Sequence, residues 1–130
     1  MNPSYKPEGY ASVSVYIIAD GAQQVIDFLI KAFDAREQRR FDMPDGSIMH
    51  AEVLIDDTVV MIADSGEEIP AFPVWLHVYI SDVDDVYTRA LKAGGVSVQA
   101  PQQNQDDPDR RAGVQDPAGN TWWIATQINS

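Results

Sequence analysis

The sequence has no cysteine among its 130 residues. Disulfide bonds, thiolate metal sites and cysteine nucleophiles are therefore excluded. Basic residues are also scarce: 9 Lys and Arg stand against 20 Asp and Glu, for a formal net charge of −11. A field of this sign repels phosphate groups, so we expect no nucleic-acid partner, whereas a cationic small molecule would be attracted. The alternative interpretation is that the acidity only keeps the chain in solution.

The sequence also lacks a long apolar run. Its apolar stretches have the length of strands, so we expect no transmembrane helix and no membrane partner. Residues 1–7 lack the basic and then apolar order of a signal peptide. Together with the absence of cysteine, this predicts a cytoplasmic protein. The apolar content of 45% is that of an ordinary globular chain, and the length predicts one domain or two small ones that share a core.

Two halves of the sequence resemble each other at an interval of about 63 residues. Apolar and polar residues alternate over 13–18 and again over 75–80, which predicts a strand in each half. A helix follows each strand, because apolar residues recur at i, i+3, i+4, i+7 and i+8 from Val25 and from Val83. Each half therefore begins with a strand and a helix.

The ends of these helices carry recognisable signals. We predict that Asp20 caps the first helix and that Ser81 or Asp82 caps the second. Gly94-Gly95 supplies the left-handed stop expected after a helix.

Extended segments with turns between them follow each helix. Asp45-Gly46, Asp56-Asp57 and residues 116–120 have turn composition. Residues 101–109 lack periodicity, so we interpret them as an exposed loop, and residues 65–73 as a linker. The predicted strands are 37–41, 48–55 and 58–63 in the first half, and 96–100, 110–115 and 121–126 in the second.

These segments amount to one βαβββ unit used twice. We predict an N-terminal arm at 1–9, a first unit at 10–64 and a second unit at 74–130, on either side of the linker. A sheet with a helix on one face leaves its other face to line a cavity. The residues predicted for that open face are larger, more aromatic and more polar than a core needs, which is the composition of a binding pocket: Ser14, Tyr16, Trp75, His77, Tyr79, Thr121, Trp123 and Ala125.

Four short motifs, in order, carry a resemblance to a known family. They are Val25-Ile26-Asp27-Phe28, then Asp45-Gly46 with His50-Ala51-Glu52, then Leu76-His77-Val78-Tyr79-Ile80, and Asp116-Pro117-Ala118-Gly119-Asn120 with Thr121-Trp122-Trp123-Ile124. With them the sequence resembles the vicinal oxygen chelate superfamily, also called the glyoxalase/bleomycin resistance/dioxygenase group. The second and fourth motifs are similar to the PhnB-like subgroup.

The resemblance implies a fold and an assembly. We expect an α+β protein whose two βαβββ units face each other across a cleft, in a homodimer. The stretch through Pro3 and Pro7 would then be an arm able to cross to the partner.

The resemblance also implies where metal ligands would lie. In the enzymes of this group, His, Gln or Glu ligands come from the cavity face of the first and last strands of each unit. Those positions correspond here to Ser14, Val60 or Met61, Trp75 and Trp123. None of them offers a carboxylate or an imidazole, so we expect no metal, no cofactor and no catalytic residue at this place.

A displaced metal site is the alternative. His50, Glu52 and His77 could form a facial triad for iron, which would make the chain a metal-dependent lyase, isomerase or dioxygenase. The simpler interpretation is that His50 and Glu52 hydrogen-bond each other and that His77 lines a pocket. Arg110-Arg111 and the acidic segment 106–109 could gate such a pocket, although we interpret them as a solvated loop.

The function predicted is non-catalytic binding and sequestration of a hydrophobic, aromatic small molecule such as an antibiotic. Stacked aromatic contacts contribute about 0.5–1.5 kcal/mol each beyond the area they bury, and the negative field would favour a cationic ligand. Trp122 is expected in the core. The predicted ligand-binding residues are Ser14, Tyr16, His50, Glu52, Trp75, His77, Tyr79 and Trp123.

Overall fold

The computed structural model describes residues 5–129, so Pro3 of the predicted arm lies outside the described residues. Its elements follow the order β-α-β-β-β twice. No helix in the described part is long and apolar enough to span a membrane. The first unit comprises β1 (Tyr16–Ala19), α1 (Ala22–Phe33), β2 (Arg36–Asp42), β3 (Ile48–Ile55) and β4 (Thr58–Asp64). The second comprises β5 (Trp75–Tyr79), α2 (Val83–Lys92), β6 (Val96–Gln103), β7 (Asp109–Gln115) and β8 (Thr121–Gln127).

The two units have the same topology. The first sheet has the order β1-β4-β3-β2 and the second the order β5-β8-β7-β6. In each, the first strand runs parallel to the last strand of its unit, and the remaining neighbours are antiparallel. The parallel pair needs a crossover, which the helix supplies. The α+β class and the repeated βαβββ unit are thereby confirmed.

One hydrophobic core lies on the helix side of both sheets. It joins residues of the two units, from Ile17 and Leu29 to Val114 and Ile124. Trp122 is only 2% exposed, which confirms its place in the core. The ring of Phe33 on α1 packs against Trp122 of the other unit, with ring centroids 5.1 Å apart. The units therefore share one core through their helix sides, which leaves the opposite sheet faces available for a ligand.

The first strand is shorter than the alternation predicts. It begins at Tyr16, and Val13 is 87% exposed instead of facing the helix. Tyr16 lies opposite Met61 in the parallel register, so Val13 would reach only Thr58, where β4 begins. The parallel ladder begins at Tyr16 and Met61, so the apolar residue at 13 lies outside it.

The cap of the first helix also differs from the prediction. Gly21, with φ of 91°, occupies the N-cap position and provides no side chain, so Asp20 is not the cap. Instead, the carboxylate of Asp64 at the end of β4 accepts from the backbone N–H groups of Ala22 and Ile48, at 2.8 and 2.7 Å. The cap thus comes from a residue distant in sequence, which a local pattern cannot indicate.

The second helix follows the predicted signals. The side chain of Asp82 accepts from the backbone N–H of Asp85 at 3.2 Å, so Asp82 is the cap. Gly94, with φ of 103°, takes the left-handed conformation that follows the helix.

The predicted loop at 101–109 is strand at both ends and loop in the middle. β6 continues to Gln103 and β7 begins at Asp109, which leaves residues 104–108 between them. Gln102 and Gln103 pair with Arg111 and Arg110 across an irregular register. Since β6 is the edge strand of its sheet and mostly exposed, it has no buried face that would impose apolar alternation.

Candidate functional site

A cleft of about 540 Å³ lies between the two units. The segment 13–15 and the turn between β3 and β4 line one side, and Trp75 to Tyr79 of β5 line the other. Four of the predicted site residues line it together: Ser14, Trp75, His77 and Tyr79. Asp56 and Asp57, predicted only as turn residues, also line it and bring two carboxylates to the cleft. The volume lies within the range of small-molecule sites.

Two tryptophans form an aromatic pair on the open face of the second sheet. Trp75 is 76% exposed, and its ring lies edge-to-face with Trp123 at a centroid distance of 5.4 Å. Trp123 lies over Gly113, where a Cβ would come within 2.7 Å of the indole ring. The indole N–H of Trp123 is buried and has no hydrogen-bond partner among the described residues. The pair therefore offers an apolar surface of two angled rings next to the cleft, with the Trp75 ring exposed.

Beside this pair, Arg111 donates hydrogen bonds to a histidine and to two acidic residues. Arg111 donates to the Nε2 atom of His77 at 2.9 Å and to Asp109 at 2.9 Å. It also donates from Nε to Asp107 at 2.6 Å. Because arginine has only donors, Nε2 of His77 must accept, which places the hydrogen of the neutral ring on Nδ1. Burial and the positive charge of Arg111 lower the pKa of His77, against an opposing effect of Asp109.

Tyr79 belongs to the same cluster. Its hydroxyl donates to Asp109 at 2.7 Å, and this hydrogen bond, with burial, raises the pKa of the phenol. Asp109 is itself only 2% exposed. The solvated-loop interpretation is therefore wrong for Asp109 and Arg111, which lie in β7, whereas residues 106–108 do lie in the loop before it. Asp109 and Arg111 position Tyr79 and His77, and the signal that could have found them is the run of acidic residues directly before an Arg pair.

A second polar network lies on the open face of the first sheet. The Tyr16 hydroxyl is 2.7 Å from Nδ1 of His50, and Nε2 of His50 is 2.7 Å from a carboxylate oxygen of Glu52. The other carboxylate oxygen of Glu52 accepts from the hydroxyl of Tyr10, to which Gln38 donates at 3.2 Å. Tyr10 and Gln38 were not among the predicted site residues, since neither belongs to a recognisable motif.

Glu52 is the buried centre of this network, with 2% of its surface exposed. Burial alone would raise its pKa, but the hydrogen bonds from Tyr10 and His50 and the charge of Arg39 hold the pKa below its ordinary value. The Nε of Arg39 is 3.9 Å from the carboxylate. Burial and the negative charge of Glu52 raise the pKa of Tyr16. At neutral pH the network therefore contains a carboxylate and a protonated phenol.

The positions that would hold a metal in the family do not fit one here. Met61, not Val60, shares the open face with Tyr16, since the two pair directly, whereas Val60 packs in the core. A thioether, a hydroxyl and two indoles at Met61, Ser14, Trp75 and Trp123 supply no carboxylate or imidazole ligand.

The displaced triad does not assemble either. His50 is bound to Glu52 on the first sheet, and His77 is bound to Arg111 on the second. Within residues 5–129, no group of three or more His, Asp or Glu side chains is arranged to hold a metal ion.

When the two units are aligned on their helix N-caps, Gly21 and Asp82, Tyr16 corresponds to His77. Tyr16 pairs with Met61, which pairs with Glu52, and in the second unit His77 pairs with Trp123, which pairs with Gly113. The first unit thus places a carboxylate where the second places a glycine. At this position the first sheet therefore carries the Glu52 network, and the second sheet leaves space for the ring of Trp123.

The repeated unit, with a helix on one face and an open sheet on the other, defines the class of paired βαβββ proteins. The sequence model of the Glyoxalase/Bleomycin resistance protein/Dioxygenase superfamily matches residues 11–124. The chain belongs to this superfamily. It is also similar to an uncharacterized protein of Mycobacterium tuberculosis, at 35% identity over 128 residues, which cover 90% of this chain and 75% of that one.

Solved structures share the fold at lower identity. TioX from Micromonospora sp. ML1 matches with a TM-score of 0.70 and 24% identity, over 92% of this chain and 98% of its own. TnmS3 from Streptomyces sp. CB03234, described as an antibiotic binding protein, matches with a TM-score of 0.68 and 18% identity, over 91% and 99%.

Proposed function

We propose that this chain binds and sequesters a planar aromatic small molecule on the Trp75–Trp123 pair, without converting it chemically there. The observation that carries the proposal is the exposure of Trp75: an indole that is 76% exposed, next to a second indole and at the edge of a cleft. Leaving so large an apolar side chain in water is unfavourable, and a ligand or partner that covers it restores the hydrophobic gain. The similarity of the fold to TnmS3 supports an antibiotic as the ligand.

The same cleft favours a ligand with a positive charge. Asp56 and Asp57 line it opposite Trp75, and the chain carries a net charge of −11. Such a field accelerates the capture of a cation and is weakened by salt. A planar aromatic cation combines both features.

Binding to two model compounds tests this proposal. Proflavine is a planar tricyclic cation, and acridone is a neutral counterpart with the same number of rings. We expect both to quench tryptophan fluorescence, with proflavine bound more tightly at low salt and more sensitive to added salt. Trp75→Ala should weaken binding by about 2–4 kcal/mol, or roughly 30- to 1000-fold, because it removes both buried area and stacking.

Phe72→Ala provides the matched control. Phe72 is also an exposed aromatic residue, at 54%, but it does not line the cleft. Its removal should leave the dissociation constants unchanged. If Trp75→Ala bound both compounds as tightly as the wild type, or if neither compound bound to the wild type, the proposal would be refuted.

We also propose that the chain is a cytoplasmic homodimer of the PhnB-like subgroup. The subgroup rests on the Asp45-Gly46 and Asp116–Asn120 motifs. The dimer rests on the large apolar side chain of Phe41, which remains 49% exposed on the open face of the first sheet. Light scattering at micromolar concentration should give twice the mass of one chain, and the mass of a monomer would count against the dimer.

A further inference from the structure

The network on the first sheet has the directionality of a proton relay. A carboxylate can only accept, so the Nε2 atom of His50, 2.7 Å from Glu52, must carry the ring hydrogen. Nδ1 then presents its lone pair to the Tyr16 hydroxyl, which is 2.7 Å away and donates. The order of groups is hydroxyl, imidazole base and orienting carboxylate, which is the arrangement that activates an oxygen nucleophile.

The carboxylate at the end of this chain is held in place from several sides. The Tyr10 hydroxyl donates to one oxygen of Glu52, and Arg39 lies 3.9 Å away. With 2% of its surface exposed, Glu52 has little contact with water that could compete for His50. The imidazole is therefore fixed in the tautomer that faces Tyr16.

The nucleophile end of the network is open to a substrate. Tyr16 is 41% exposed, and it lines a groove of about 720 Å³. Ile18, Met43, Met49 and Ile69 contribute apolar surface to the same groove. Within the described residues, this groove shares no lining residue with the cleft beside Trp75.

We propose that Tyr16, His50 and Glu52 form a hydrolytic site, separate from the aromatic pair, that takes esters with a small apolar acyl group. The Tyr16 oxygen attacks the acyl carbon as its proton passes to Nδ1 of His50, and Glu52 stabilises the imidazolium. The bond from the acyl carbon to the leaving oxygen breaks, and that oxygen takes the proton from His50. The products are an acyl ester on Tyr16 and an alcohol. Water then attacks the ester, with His50 accepting its proton and returning it to Tyr16, and the acid leaves.

Tyr79 is a matched internal control. It is more exposed than Tyr16, at 59%, and also donates a hydrogen bond of 2.7 Å. Its acceptor is the side chain of Asp109, to which Arg111 also donates. Tyr79 thus has no imidazole that accepts its proton, so it should stay unreactive.

The test uses p-nitrophenyl acetate with the full chain. We expect release of p-nitrophenolate together with a protein species heavier by one acetyl group, located by fragmentation at Tyr16 and not at Tyr10 or Tyr79. Tyr16→Phe should abolish this acetylation. His50→Gln, which keeps a polar side chain of similar size, should slow it by about 10²- to 10⁴-fold, the usual contribution of a general base. Tyr5→Phe, at an exposed tyrosine outside both the groove and the cleft, should leave the rate unchanged.

Glu52 acts through His50, so its test needs a separate signature. In Glu52→Gln, ¹⁵N NMR of the His50 ring should show loss of the Nε2–H tautomer, together with slower acetylation. Circular dichroism of each variant confirms that it is folded. Acetylation spread evenly over the tyrosines, a rate unaffected by His50→Gln, or full activity in folded Tyr16→Phe would each overturn the proposal. The last result would show that His50 alone attacks the ester.

Discussion

Gly113 is the position where a single methyl group should reveal how the aromatic surface is built. An added Cβ at Gly113 would lie 2.7 Å from Cζ3 and 2.9 Å from Cε3 of Trp123, closer than nonbonded carbon atoms can approach. The φ angle of Gly113 is outside the left-handed region, so Gly113→Ala causes no backbone strain and acts only through this contact. The indole must move away from the strand.

The cost of that movement follows from what surrounds the ring. Overpacking a closed site costs about 1–3 kcal/mol. Here Trp75, on the free side of Trp123, is exposed and can yield, which places the expected loss at about 1–2 kcal/mol. For a chain of this length the midpoint of thermal unfolding, Tm, should fall by roughly 3–10 °C.

Thermal unfolding and near-ultraviolet circular dichroism measure the two consequences. Gly66→Ala is the matched control, because Gly66 has no atom within 4 Å of an added Cβ and no left-handed φ. The change at Gly113 should lower Tm and alter the tryptophan signal, since it changes the packing of Trp123 against Trp75, while the control should do neither. If both variants matched the wild type in Tm and in the spectrum, the close packing of Trp123 on Gly113 would be wrong.

Two further predictions concern stability. Asp64→Ala removes the acceptor for Ala22 and Ile48 and should lower the free energy of unfolding in urea by about 1–2 kcal/mol, whereas Asp20→Ala, which removes no cap, should change it little. For His77, the folded pKa is lowered, so the unfolded chain binds the proton first and stability should be lost as pH falls from about 6.5 through the folded pKa. His77→Gln should reduce this pH dependence, and an NMR titration giving an imidazole pKa above 6.5 would contradict it.

The sequence indicates those parts of the fold whose signals are local. The apolar spacing from Val25 and Val83 and the turn at Asp45-Gly46 lie where the structure has helices and a turn, because each depends on neighbouring residues. The Asp64 cap and the start of β1 depend on which strands are paired, which no local pattern encodes. Long-range contacts account for both corrections.

For the candidate site too, the local pattern predicts some residues, and the remaining residues depend on long-range contacts. The alternation along β5 predicts that Trp75, His77 and Tyr79 share a face, and all three are more exposed than the residues between them. Asp109 and Arg111 were misjudged because their segment was interpreted as loop, whereas both lie on β7, an inner strand of the second sheet. A charged side chain that positions another is visible only when both strands are in place.

The contact between Phe33 and Trp122 has a consequence for how the two units can change over time. Each ring belongs to one unit and is covered by the other, so severing the chain in the linker would expose an aromatic side chain on both fragments. A single βαβββ unit therefore lacks part of its hydrophobic core, although its helix and four strands are all present. Inherited changes on the helix side must be tolerated by both copies at once, whereas changes on either open face affect one copy. The molecule can diversify its ligand chemistry in one half while the other half keeps its own.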